Sequence, residues 1–107
     1  MTQIHIVIRR VSPALKIDLV QIGRLKDSQF DPLPLDAIAD TPLACFFESS
    51  DISDALYINH SEIANLIAAC EDLPGFGIEF FDNTIVLMFN FNLNYDEGAT
   101  KEEGKGN

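Results

Sequence analysis

Residues 59–94 read NHSEIANLIAACEDLPGFGIEFFDNTIVLMFNFNLN, and two different periodicities meet within them. Ile63, Leu66, Ile67, Cys70 and Leu73 recur at helical spacing, which puts Glu62, Asn65, Glu71 and Asp72 on the other side of an amphipathic helix. Asn59 is placed to cap that helix, with Glu62 three residues on to reach back to the Asn59 amide. Pro74-Gly75 stops it. Beyond the stop the period falls to two. Phe76, Ile78 and Phe80 alternate with Gly77, Glu79 and Phe81, and Ile85, Leu87, Phe89, Phe91 and Leu93 alternate with Val86, Met88, Asn90, Asn92 and Asn94.

If Asp82-Asn83 is a two-residue loop between these strands, Phe81 faces Thr84, Phe80 faces Ile85, Ile78 faces Leu87 and Phe76 faces Phe89. All large apolar pairs then share one face, and a slip of one residue scrambles them. The second face carries Phe81, Val86 and Met88 near the turn. It is too apolar for plain solvent surface, so further protein or a partner is expected to cover it.

Working outward, Ile4, Ile6 and Ile8 alternate with Gln3, His5, Val7 and Arg9 as a first strand. Ser12-Pro13-Ala14 turns the chain, and Leu15, Ile17 and Leu19 open a second strand that runs to about Ile22 and pairs with the first as a hairpin. Its apolar phase shifts at Val20 and Ile22, which predicts a bulge or burial on both faces. From Gly23 to Pro42 the prolines Pro32, Pro34 and Pro42 predict a long connection with at most one helical turn near residues 35–40. Leu43 to Glu48 reads as a third strand, residues 49–54 as a polar turn, and Ala55 to Ile58 as a fourth strand.

The expected fold is therefore α+β: an antiparallel sheet of about five to six strands with one main helix on one face. The 107 residues suit a single domain over 1–95, and the Gly, Lys and Glu of 96–107 read as a disordered tail. With 47% hydrophobic residues, eight Phe and no leader or membrane-length apolar run, a globular cytoplasmic protein is expected. Cys45 and Cys70, without a Cys-x-x-Cys pattern, read as two buried free thiols.

Charge is the least ordinary feature. The first 26 residues hold Arg9, Arg10, Lys16, Arg24 and Lys26 against the single acid Asp18. From Asp27 to Thr100, 74 residues, there are fourteen acids and no Lys or Arg, and the whole chain is at -10. Phosphates would be repelled, so direct nucleic-acid binding is not expected. A surface kept merely soluble mixes both signs, because opposed charges relieve self-repulsion. This one accepts repulsion, which suits a cationic partner.

No catalytic motif stands out. His60 beside Ser61, or near Cys45 in space, is the one conceivable nucleophile–base pairing, and its place just after a cap residue accounts for it as well. Asp51 to Asp54 and Asp36 to Asp40 offer hard oxygen ligands, yet neither matches a calcium loop, so no metal or other cofactor is expected. Asn59-His60-Ser61 fits a glycosylation acceptor but is explained by the cap. The reading that best fits the charge is an acidic inhibitor, not an enzyme, that masks the basic nucleic-acid-binding surface of another protein or complex. Immunity proteins against nuclease toxins and phage anti-CRISPR proteins share this size and charge character, a likeness of character and not of sequence. The candidate contact residues are Asp27, Asp31, Asp36, Asp40, Glu48, Asp51, Asp54 and Asp82, with Phe81 and Met88 as an apolar anchor. The alternatives are a homo-oligomeric structural or assembly protein, a homodimer for instance, joined through the second face of the last hairpin, and after it a small enzyme using His60.

Overall fold

The computed structural model describes residues 1–11, 14, 16–49 and 55–93. The strands are β1 (Thr2–Arg10), β2 (Ile17–Lys26), β3 (Gln29–Pro32), β4 (Glu48–Ser49), β5 (Leu56–Asn59), β6 (Gly77–Phe80) and β7 (Thr84–Phe91). One α-helix, α1 (Ile63–Glu71), continues from a 3-10 turn over His60–Glu62. All seven strands form one sheet in the order β4-β5-β2-β1-β7-β6, with β3 lying along the same edge of β2 as β5, and every pairing is antiparallel.

The isoleucine alternation of β1 decides where the core sits. Ile4, Ile6 and Ile8 are at most 2% exposed, while Gln3, His5, Val7 and Arg9 point to the other face. Across the sheet Ile8 lies between Val20 and Ile85, Ile6 between Ile22 and Leu87, and Ile4 between Arg24 and Phe89. A covering layer closes this face: Leu66 and Cys70 from α1, with Leu33, Ala37, Ile38, Leu43 and Phe47 from the connection between β3 and β4. Each large apolar side chain so buried contributes about 1.5–3 kcal/mol. On the outer face no described side chain of β1 or β7 is fully buried.

The last hairpin has the expected register, with Phe80 opposite Ile85 and Ile78 opposite Leu87. Phe81 and Thr84 close it, the Phe81 amide donating to the Thr84 carbonyl at 2.8 Å. The helix stops as the sequence implies, Gly75 taking a φ of +73° that only glycine adopts without strain.

Four local readings are corrected. β2 shows no bulge: its pairing with β1 is unbroken from Arg24 to Asp18, so Asp18, Val20 and Ile22 face the core while Ile17 and Leu19 sit half-buried outside. The strand also continues past Ile22 to Lys26, and Asp27-Ser28, both at positive φ (54° and 67°), turn it directly into β3. What read as the start of a long loop is a hairpin, and Pro32 is tolerated because it ends a short outlying strand. Residues 44–46 form a 3-10 turn where a strand was expected, leaving β4 only two residues long. Finally, Asn59 makes no side-chain cap; its amide donates to Glu48 at 3.5 Å, while the Glu62 carboxylate accepts from Asn65 at 3.3 Å. The turn expected near Ser12-Pro13, Asp51 to Asp54, and the tail lie outside the described residues.

Candidate partner-binding surface

The two layers divide the charge. All described Lys and Arg residues lie on β1 and β2 or just before β2. Two of the five are used internally. Arg24, nearly buried on the core face, donates from Nε to Asp31 at 3.0 Å, and Arg10 stands 3.7 Å from Asp18. The covering layer has no Lys or Arg. Its exposed acids are Asp36, Asp40, Glu71 and Asp72, with Glu62 half-exposed, and none of them pairs with a cation among the described residues.

Local chemistry holds that layer in place. Pro34 leads into a 3-10 turn, Leu35–Ile38, that drops Ala37 and Ile38 into the core and turns Asp36 outward. Thr41 then locks the next turn: its hydroxyl donates to the Ile38 carbonyl at 2.7 Å and accepts from the Leu43 amide at 3.2 Å, so a buried polar group is satisfied and Asp40 stays exposed. On α1, burial of Leu66 and Cys70 forces Glu71 to the outside.

The eight described residues among the ten anticipated contacts do not make one patch. Asp27 is at the tip of the β2–β3 turn, beside the start of β1, and Asp82 is at the β6–β7 turn, beside its end. The length of β1 separates them, about 25 Å at roughly 3.3 Å per residue. Asp31 is spent on Arg24. Glu48 pairs opposite Tyr57 on the outer face, and Met88 lies half-buried there against Gly77. Asp51 and Asp54 fall outside the described residues. Asp36 and Asp40 do share a layer, with Glu62, Glu71 and Asp72, whose helical spacing alone marks them only as the solvent side of a helix.

Phe81 and Asp82 belong to a second feature. A cleft of about 270 Å³ opens between the β6–β7 turn and the start of α1, floored by Ile8, Ile63 and Ile85. Phe80 and Phe81 line it while remaining 68% and 60% exposed. Phe80 was missed because its register pairs it with Ile85 on the core face; at the end of the hairpin that face is open. The other wall is a polar cluster. Asp18, its side chain only 3% exposed, faces Arg10 and His60, whose Nδ1 is 3.3 Å from Asp18 Oδ2. Arg10 Nη2 donates to His60, lying 2.8 Å from Nδ1 and 3.1 Å from Nε2. Nδ1 serves one partner at a time: unprotonated it accepts from Arg10, protonated it donates to Asp18. The described side-chain partners of His60 are thus a guanidinium and a carboxylate, with neither Cys45 nor Ser61 among them.

Other groups with chemistry stand apart. Cys70 is buried, and burial pushes its thiol up to about 11. Cys45 is exposed, correcting the expectation of two buried thiols, because the 3-10 turn points it away from the core and its thiol donates to the Pro42 carbonyl at 3.4 Å. His5 lies on the outer face with a buried, unpartnered Nδ1; burial lowers its pKa and Glu79 partly opposes this. A slot of about 290 Å³ lies beside Gln21 of β2 in the gap between β3 and β5, where the Leu33 amide donates to the Ile22 carbonyl at 2.8 Å. Among the described residues no group of three or more His, Cys, Asp or Glu is placed to hold a metal ion, and no helix is long and apolar enough to cross a membrane. No protein-family model, curated protein or solved structure matches the chain.

Proposed function

We propose that this protein is a small acidic binding module that occupies the basic, nucleic-acid-binding surface of another protein and so keeps nucleic acid off it. The observation that carries this reading is the covering layer: Asp36, Asp40, Glu62, Glu71 and Asp72 with no Lys or Arg among them, on a well-packed support. Carboxylates held this way present a fixed negative field, which steers association with a cationic groove and competes there with phosphates.

The test is capture by the tagged protein from extracts of the cells it comes from, compared with a variant carrying Asp36→Asn, Asp40→Asn, Glu71→Gln and Asp72→Asn. Retention of a basic nucleic-acid-binding protein by the native chain, lost in the variant and at high salt, supports the reading. Equal capture by both chains overturns it.

A second reading has its own observation. Val7, Leu19, Val86 and Met88 lie half-buried on an outer sheet face that no described element covers. A second copy packed there would make a homodimer driven by apolar burial. Sedimentation of the native chain against Val86→Glu separates this from the first reading, since a monomer at high concentration excludes it.

A further inference from the structure

We propose that the cleft between the β6–β7 turn and the start of α1 receives an arginine side chain of the basic partner. This rests on the function proposed above and locates, beside that surface, a place shaped for a single side chain.

Three observations meet there. The first is size and lining: about 270 Å³ over an apolar floor, room for one long side chain and not for a strand or helix. The second is the pair of aromatic rings. Among the described residues Phe80 and Phe81 are the most exposed large hydrophobic side chains apart from Met1, and both border this cleft. Ring faces left in water beside a carboxylate are suited to a cation, which binds the negative face of the ring and loses less hydration if it is a guanidinium.

The third is charge. On the cleft wall Arg10 and Asp18 offset each other, with Arg10 further engaged by His60. Asp82 at the rim makes no ion pair or hydrogen bond with any described residue, so it is the uncompensated charge of the site. A carboxylate ligand would meet Asp82 and the field of a chain at -10. A lysine would match the charge, but arginine stacks on the rings and forks onto a carboxylate at once.

The experiment is a titration of the isotope-labelled full chain with N-acetyl-arginine amide, followed by amide and aromatic NMR shifts, with N-acetyl-norleucine amide and N-acetyl-glutamate amide as controls. Saturable shifts confined to residues 80–84 and Ile63, with arginine preferred and binding weakened about three- to fivefold by Phe81→Ala or Asp82→Asn, establish the site. Shifts spread evenly over Asp36, Asp40, Glu71 and Asp72, or equal shifts with norleucine amide, overturn it. A preference for the glutamate amide overturns it too and makes Arg10 the anchor of an anion site. Unperturbed β1 and β7 amides confirm that each variant is folded. The partner capture separates the two claims. If Phe81→Ala and Asp82→Asn leave capture intact while neutralising the covering layer abolishes it, the cleft assignment fails and the function stands. If the cleft binds arginine amide but no basic partner is retained, the function fails and with it the partner's arginine.

Discussion

Cys45 and Cys70 show how far a residue's type determines its chemistry without its surroundings. Both read from the sequence as buried thiols, yet the 3-10 turn over residues 44–46 leaves Cys45 in solvent while α1 buries Cys70. Near neutral pH a disulfide-forming thiol reagent is expected to modify one cysteine of the folded chain quickly and the second only on unfolding; two fast equivalents would contradict the burial of Cys70. His5 gives a residue-scale prediction in pH. Its folded pKa lies below the 6.5 of the unfolded imidazole, so the unfolded chain takes up the proton first and stability falls as pH drops below about 6.5. His5→Phe should flatten the urea-denaturation midpoint between about pH 7 and 5.5, above the range where carboxylates titrate. A variant with the native slope would move the effect elsewhere. Neither the setting of His5 nor the place of His60 beside Asp18 and Arg10 was legible in the sequence, because the first depends on β1 pairing with β7 and the second on β2 pairing with β5. Asp18 in particular reads as one polar position among alternating apolar ones. Only the register that puts it on the core face explains why it has to be paired.

Elements were legible where local chemistry and periodicity agreed. The β6–β7 hairpin came out in register because a two-residue loop and a period of two leave one solution. The β2–β3 hairpin did not, because Asp27-Ser28 lacks the Asn-Gly or Asp-Gly signature of a turn that needs two left-handed residues. That gap predicts a gain: Asp27→Asn with Ser28→Gly should raise stability by about 0.5–1 kcal/mol in chemical denaturation. A loss would argue against the turn. Gly23 tests the same hairpin from the other side. A Cβ there would stand 2.4 Å from Phe30 Cζ and 2.7 Å from the Asp31 carbonyl oxygen, a backbone atom that cannot swing aside. Gly23→Ala should therefore cost roughly 1–3 kcal/mol and loosen β3, seen as faster amide exchange at residues 29–32 with β7 unchanged. The misread strand at residues 43–48 has the opposite lesson. Leu43 and Phe47 have strand propensity, but the sheet face they cover draws them inward through a turn, and tertiary burial overrides the local preference.

For the whole molecule, the α+β class and the helix-on-sheet arrangement followed from element order alone, and the imbalance of charge from composition. What composition could not supply was geometry: that the described Lys and Arg residues lie on β1 and β2 or just before β2, that two of them are consumed by Asp18 and Asp31, and that the described charged residues of the covering layer are acids. Unpaired carboxylates on one layer repel each other, so the native chain should gain stability as salt is raised from about 0.02 to 0.3 M, by up to about 1 kcal/mol. The variant neutralised at Asp36, Asp40, Glu71 and Asp72 should show little of that gain; an equal gain in both would place the repulsion elsewhere. The central claim is that this layer competes with nucleic acid for a basic surface. Its most direct test is to load the captured partner with fluorescently labelled nucleic acid and titrate in this protein at fixed salt, reading polarisation. Stoichiometric release of the nucleic acid is expected, weakened in the neutralised variant and as salt rises. A ternary complex that retains the nucleic acid, or release that is the same with the neutralised variant, would contradict it.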